Sequence, residues 1–260
     1  MARYDASRHS TFTYPNAPLP FPPARNHPLI TSELRLASVV STMDAARELA
    51  TTQDYLLVSA ETQSGGKGTR GRAWRSPPGN IYMTVGIHRR RLPAPRLALL
   101  PLELGLHLWE ESASRVTEEA RSGLKLKWPN DLLYQGRKTA GILVESFGDY
   151  LMAGFGINVA AAPEVTDGGA PAACLAEAGI PPGSREALVE GIYQRIRAAE
   201  SDPESILLAW QAKVDWDRPV RLRDREGSPK VTAVSVNRHG HLLVRHGNGT
   251  EEWLVSEYLL

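Results

Sequence analysis

Apolar and polar positions change period several times along the chain, and the changes outline a mixed α and β fold. The stretch from Ser41 or Thr42 to Ala50 has a capping hydroxyl and places Asp44 in its first turn, which predicts a short helix. Apolar runs at Tyr55–Ser59 and Ile81–Ile87 predict strands on either side of a glycine-rich basic segment. Leu97–Val116 reads as a helix, with Pro101 in its first turns or at a kink. Leu124–Trp128, Thr139–Glu145 and Tyr150–Val159 predict further strands. Leu132-Leu133-Tyr134 and Ile142-Leu143-Val144 read as a hairpin joined at Gln135-Gly136. Ser184 opens a helix with Leu188, Ile192 and Ile196 on one face. Asp202-Pro203 opens another, an N-cap followed by proline at the first helical position, running to about Val214.

Beyond Trp216 the period shortens. Val220–Arg223, Lys230–Val236, His241–Arg245 and Glu251–Val255 alternate and are separated by Glu226-Gly227, His239-Gly240 and Asn248-Gly249. Four short strands predict a small β-barrel or sandwich packed on the main body. At the other end, Met1–Ile30 holds six of the 19 prolines and no apolar period, so it reads as an extended arm. The expected division is an arm at 1–30, a main domain at 31–215 and a small β domain at 216–260, in an α+β fold.

Composition narrows the class without naming a function. Thirty Lys and Arg against 29 Asp and Glu leave a formal net charge of +1, which offers no broad basic surface for nucleic acid. No apolar run approaches the roughly 18 residues of a membrane span. The single cysteine, Cys174, excludes an internal disulfide and a Cys-rich zinc site and fits a reducing, cytoplasmic setting, with organellar targeting by the arm kept open. Cys174 sits among alanines and leucine and reads as a small buried residue. The run His88-Arg89-Arg90-Arg91 reads as a solvated loop, and His239-x-His241 as a solvated turn with no third metal ligand beside it.

Three segments carry chemistry. Gln63-Ser64-Gly65-Gly66-Lys67-Gly68-Thr69-Arg70-Gly71-Arg72 has four glycines in positions 65–71, which let backbone N–H groups approach an anion, and three cations among them. It lacks the spacing of a Walker loop, and on composition alone a flexible solvated loop is the simpler reading. Lys127-Trp128-Pro129-Asn130-Asp131 leads into Gly136-Arg137-Lys138-Thr139-Ala140-Gly141-Ile142-Leu143-Val144-Glu145, and the intervening hairpin would bring Asp131 and Lys138 to one cleft. Gly154-Phe155-Gly156-Ile157-Asn158-Val159 thins a strand that should be buried, the mark of close approach by a ligand or backbone.

In this order and spacing the three segments resemble those of the biotin protein ligases. The resemblance spans roughly residues 36–257, from Ser41-Thr42 through Trp210 to Asp217-Arg218-Pro219-Val220. It implies a mixed β-sheet backed by helices with a small C-terminal SH3-like β-barrel, and an enzyme that joins biotin to ATP with Mg²⁺. The product, biotinoyl-5′-adenylate, would then acylate a lysine on a biotin carboxyl carrier domain of a biotin-dependent carboxylase. By motif position, Ser41, Thr42, Gln63, Gly66, Lys67 and Gly141 would hold biotin. Gly68, Thr69, Trp74, Lys127, Asn130 and Asn158 would hold ATP and the adenylate. Lys138, Arg70 and Arg72 would serve catalysis by stabilising charge, with Asp131 orienting or deprotonating the acceptor lysine. Mg²⁺ would arrive on ATP phosphates rather than in a protein metal site. A homodimer is left open; a membrane or nucleic-acid partner is not expected, since the residues before the main domain are too few and too proline-rich for a helix-turn-helix.

The chain departs from the family pattern at three places. The usual Gly-Arg-Gly-Arg-Arg-Gly-Arg loop here has Lys67 for its first arginine and Thr69 for its second. That exchange predicts a compensating lysine or an adenylate released more readily. Met43 stands where asparagine often follows Ser-Thr. Lipoate or octanoate ligases, which share the fold, and a catalytically silent binding protein are the alternative readings.

Overall fold

A computed structural model describes residues 30–164, 171–200, 202–222, 227 and 229–255; the expected arm, up to residue 29, lies outside the described residues. The chain runs β1 (Thr31–Val39), α1 (Thr42–Leu49), β2 (Tyr55–Gln63), β3 (Ile81–His88), α2 (Ala94–Leu97), α3 (Leu100–Ala113), α4 (Glu118–Ser122), β4 (Leu124–Lys127), β5 (Asp131–Tyr134), β6 (Arg137–Phe147), β7 (Tyr150–Ile157), α5 (Arg185–Ala198) and α6 (Pro203–Gln211). Four short strands follow: β8 (Val220–Arg221), β9 (Lys230–Val236), β10 (Leu242–Arg245) and β11 (Glu251–Leu254).

The first seven strands make one sheet in the order β1-β2-β3-β7-β6-β5-β4. The β1/β2 pair is parallel and the rest are antiparallel, so the sheet is mixed, as expected. The last four form an antiparallel meander, β11-β10-β9-β8. Trp128 ties this small sheet to the body by donating its indole N–H to the Gly240 carbonyl at 2.9 Å.

Helices cover the large sheet unequally, and this places the site. One face carries the main core, with Val85, Phe155 and Ile142 from the strands against Leu104 and Leu108 of α3, Ile192 and Tyr193 of α5 and Trp210 of α6. The other is covered by α1 alone, where Met43 and Ala46 pack on Leu34, Leu56, Val58, Tyr150 and Met152. Along β7 the residues facing α1 run Tyr150, Met152, Gly154, Gly156, because alternate strand residues share a face. The strand is bulky beneath the helix and bare beyond it.

Several elements differ from the pattern reading. Strand β1 has no clean alternation in Thr-Ser-Glu-Leu-Arg-Leu-Ala-Ser-Val; it is a partly exposed edge strand that needs few apolar residues. The single helix read at Leu97–Val116 is two, with Pro101 seated in the first turn of α3, where a missing N–H costs nothing. The arginine run after β3 is a turn of 3₁₀ helix rather than a solvated loop. Arg90 Nε lies 2.9 Å from the buried carboxylate of Asp54, and Arg89 donates to Ser146 Oγ at 3.0 Å. Asp202 caps α6 as its sequence implies, accepting from the backbone N–H of Glu204 and Ser205 at 3.0 and 3.1 Å. Cys174 is buried.

Candidate active site

The bare part of the sheet floors a cavity of about 420 Å³. Gly141 of β6 and Gly156 of β7 are cross-strand partners, and Gly154 pairs with Leu143 two residues further along. Each glycine is bare because something lies on it. A Cβ on Gly154 would fall 2.9 Å from Met43 Sδ, one on Gly156 would fall 2.5 Å from Trp74 Nε1, and one on Gly141 would fall 2.8 Å from Lys138 Nζ. The glycines therefore make room for a thioether, an indole and an ammonium in a row. The ammonium sits 5.4 Å from the indole centroid, within cation–π range.

At the α1 end the lining is neutral and polar. Thr42 donates its backbone N–H and its hydroxyl to Gln63 Oε1 at 2.9 and 3.1 Å, and accepts from Thr84 Oγ1 at 2.9 Å. The amide of Gln63 donates to Ser76 Oγ at 3.2 Å. Ser41 is buried beside them, and its hydroxyl has no partner among the described residues. A buried hydroxyl left open on a cavity wall is a ready contact for a polar ligand group.

The opposite end is cationic. The β5–β6 turn at Gln135-Gly136 has φ of 47° and 74°, the left-handed pair of a tight hairpin. It returns Lys138 towards the start of β5, where Lys138 Nζ lies 2.6 Å from Asp131 Oδ1 and Lys127 Nζ lies 2.8 Å from Oδ2. Burial pushes the Asp131 carboxyl upward, but the two ammonium groups outweigh it and bring it down to about 2. Two cations share one anion, so the cluster keeps net positive charge beside the cavity. Asn158 closes this part, donating to the Ala173 carbonyl at 3.1 Å while its Oδ1 has no partner among the described residues.

The glycine-rich segment is a hydrogen-bonded flap whose Lys67, Gly71, Arg72 and Ala73 remain exposed. Lys67 and Ala73 form an antiparallel bridge, Gly68 N–H donates to Arg72 O at 2.7 Å, and Trp74 N–H donates to Gly66 O at 2.8 Å. Gly66 must be glycine here, since a Cβ would come 2.6 Å from the Trp74 carbonyl. The Lys67 ammonium is 2.9 Å from both oxygens of Asp44. Arg72 donates to Thr69 Oγ1 at 2.9 Å and to Thr69 O at 3.3 Å, so the loop's threonine holds one of its own arginines.

Twelve of the residues singled out in the sequence line the cavity: Ser41, Thr42, Gln63, Lys67, Gly68, Thr69, Arg72, Trp74, Asn130, Lys138, Gly141 and Asn158. Asp131 and Lys127 stand behind Lys138, and Gly66 lies beneath Trp74; the side chain of Arg70 is outside what is described. Met43, Ile142, Leu143, Gly154, Gly156 and Glu164 also line it and were not assigned to the site. The alternation Gly154-x-Gly156 was the signal for the floor; Glu164 had none.

The chain matches the model of the Biotin/lipoate A/B protein ligase family over residues 36–159. It is 32% identical to the solved biotin protein ligase of Leishmania major in complex with biotinyl-5-AMP, with a TM-score of 0.64, covering 86% of this chain and 98% of that one. The chain belongs to the biotin protein ligase family. The family's ligase from Aquifex aeolicus, solved with biotin and ATP, superposes with a TM-score of 0.71 at 26% identity over 87% of this chain and 96% of that one. Among curated family members, the biotin–[acetyl-CoA-carboxylase] ligase of Mycobacterium tuberculosis is 36% identical over 116 residues, 44% of this chain and 43% of its own length. The bifunctional ligase/repressor BirA of Escherichia coli is 32% identical over 218 residues, 77% of this chain. The match spans 65% of BirA's length, so the chain corresponds to part of these relatives.

Proposed function

We propose that the chain activates biotin with ATP and passes it to a lysine of a carboxylase's biotin carboxyl carrier domain. The observation that carries the reading is the cavity itself: neutral hydrogen-bonding groups at Ser41, Thr42 and Gln63 at one end, and Lys138, fixed by Asp131, at the other. A ring with polar edges and a carboxylate tail suits that division.

In the first step a carboxylate oxygen of biotin forms a bond to the α-phosphorus of ATP, and the bond to the β-phosphate bridge breaks, releasing pyrophosphate. Two anions must meet, so charge neutralisation dominates the barrier. Lys138 would stand between the carboxylate and the α-phosphate, and Lys67, Arg70 and Arg72 would face the phosphates. Asn158, with its open carbonyl oxygen, would accept from the adenine amine. The described residues hold no group of three His, Cys, Asp or Glu side chains suited to a metal, so Mg²⁺ would come bound to ATP.

In the second step the neutral amine of the carrier lysine attacks the acyl carbon, an amide forms and AMP leaves. Asp131, with its carboxyl near 2, is a poor proton acceptor, and its part in this reading is to orient rather than deprotonate. The mixed anhydride is prone to hydrolysis, and the flap over the cavity would exclude water. No described helix is long and apolar enough to cross a membrane. We place the enzyme in the cytoplasm on its single, buried and unpaired cysteine, which fits a reducing compartment.

The test is biotin-dependent exchange of pyrophosphate into ATP, followed by transfer to a carrier domain. Exchange with biotin supports the reading. Exchange with lipoate alone would move the chain to the lipoate branch, and binding of biotin without exchange would make it a binding protein.

A further inference from the structure

The flap is tied to the body through a line of charges of which only Lys67 has a part in the proposed reaction. Lys67, on the cavity wall, is paired at 2.9 Å with both oxygens of Asp44 in the first turn of α1. Asp44 also accepts from Arg47 Nη1 at 2.9 Å, one helical turn on, and Arg47 reaches to Glu145 on β6. The line Lys67–Asp44–Arg47–Glu145 therefore runs from flap to helix to sheet. It balances two cations against two carboxylates.

We infer that Asp44 is the clasp of the flap: a positioning residue that holds Lys67 at the cavity lip and so sets how often the flap opens. Three features support a clasp over a fixed strut. Lys67 and Asp44 are both about two-fifths exposed, at 46% and 41%, so water can compete for the pair and it can break and re-form. The Asp131–Lys138 pair is the contrast, with its carboxylate buried. Second, the loop cation Arg72 is bonded within the loop to Thr69, and its side chain has no bond out of the loop among the described residues. Third, α1 begins where Ser41, Thr42 and Met43 line the cavity, so a ligand seated there and the clasp share one rigid element. The lysine in place of the usual arginine thus offers a single mobile charge to one carboxylate, where a guanidinium would offer a fork.

This inference rests on the ligase reading only for its consequence, retention of the adenylate, and the clasp itself is measurable without ligand. Hydrogen exchange in the full chain would be followed at the amides that tie the glycine-rich segment to the body, Ser64 to Val39 O at 3.1 Å and Gly65 to Val40 O at 2.8 Å, in wild type, Asp44→Asn, Asp44→Glu and Lys67→Met. Asp44→Asn and Lys67→Met should each speed exchange at these amides about 1.5- to 5-fold, the range set by an exposed ion pair. Molar salt should erase the difference, and Asp44→Glu should recover part of it. Arg47→Gln, which leaves Lys67 its partner, should stay near wild type. If both Asp44→Asn and Lys67→Met exchange at the wild-type rate at low salt, the clasp is overturned. Should Asp44→Asn loosen the whole molecule, Lys67→Met decides alone, since it removes the tie without touching α1. In the presence of biotin and ATP, Asp44→Asn should lose its adenylate faster by the same factor at unchanged biotin affinity. A wild-type chain that forms no adenylate refutes the ligase reading and leaves the exchange result standing.

Discussion

Lys138 Nζ lies 2.6 Å from Asp131 Oδ1 across the first turn of a hairpin, and the same carboxylate holds Lys127 at 2.8 Å on its other oxygen. Asp131→Asn would leave two cations competing for one neutral oxygen. Hydrogen bonds to charged groups are worth about 1.5 to 3 kcal/mol, so adenylation should fall by roughly 10-fold or more in kcat/KM. The carboxyl is depressed to about 2 from its ordinary 3.8, so its contribution to stability is present above pH 3.8 and lost as the pH falls through 2. It stays ionised throughout the working range. Any acidic limb in the pH–rate profile between pH 4 and 7 should therefore survive in Asp131→Asn. Wild-type rates of both adenylation and transfer in this variant would remove Asp131 from the site.

The glycine floor makes two outcomes separable. In Gly156→Ala the new methyl would fall 2.5 Å from Trp74 Nε1 and 2.6 Å from Cζ2, a collision with a rigid ring. Overpacking of this kind costs about 1 to 3 kcal/mol, so melting temperature and biotin affinity should fall together. In Gly141→Ala the methyl meets the end of Lys138, at 2.8 Å from Nζ, and a flexible chain can swing aside. That variant should lose less melting temperature than Gly156→Ala, only what the Lys138–Asp131 pair contributes, and should lose adenylation rate, because the swing takes Lys138 away from Asp131. Calorimetry paired with exchange kinetics distinguishes the two; equal effects of both on stability would contradict it.

Much of this site was legible because its signals are local. Gln135-Gly136 marks a hairpin by turn chemistry, which puts Asp131 and Lys138 together, and Gly154-x-Gly156 marks a bare strand face by period alone. Asp202-Pro203 announces α6 in the same way. What could not be read depends on contacts distant in sequence. Asp44 looks like an ordinary first-turn acid until the flap brings Lys67 to it, and Arg90 looks solvated until the fold delivers Asp54. Strand β1 is missed because the edge of a sheet does not impose an apolar alternation. The order of segments in the family resemblance supplied what the residues alone left open, namely that the basic loop closes on something.

Away from the cavity, α3 carries a buried ionic network with its own pH dependence. His107 is 8% exposed, and its ring nitrogens lie 3.7 Å from Glu103 Oε1 and Glu110 Oε2. Arg96 donates to both oxygens of Glu103 at 3.0 and 2.8 Å, and Arg195 lies 3.2 Å from Glu110. Burial lowers the imidazole, but the two carboxylates outweigh it and raise it above 6.5. Burial raises Glu103, and His107 and Arg96 outweigh that to hold it below 4.5. The imidazolium's contribution to stability is thus complete below pH 6.5 and lost as the pH rises through its raised value. That of Glu103 is complete above pH 4.5 and lost on acidification. The melting temperature of the wild type should fall on going from pH 6 to pH 9 by more than that of His107→Gln. Parallel curves would mean that His107 is neutral throughout.

Asn80 joins the entrance of β3 to the exit of β7 and so fixes the wall that carries Asn158. Its Oδ1 accepts from the backbone N–H groups of Val159, Ala160 and Ala161 at 2.9, 3.0 and 3.2 Å, and its Nδ2 donates to Ala161 O at 2.9 Å. The side chain is fully buried. Asn80→Ala would strand these backbone groups, and allowing for partial relaxation the cost should be about 2 to 4 kcal/mol. For a chain of this size that lowers the melting temperature by roughly 4 to 16 °C. Asn80→Asp keeps an acceptor for the three N–H groups but loses the donor to Ala161, so it should recover part of the loss. The segment held by Asn80 leads from Asn158 to Pro163 and Glu164 on the cavity wall, far along the chain from Ser41 and Thr42. The KM for ATP should therefore rise more than the KM for biotin in the variant that remains folded, Asn80→Asp. An equal rise in both would mean that the segment serves the whole cavity and that the nucleotide is not seated against Asn158.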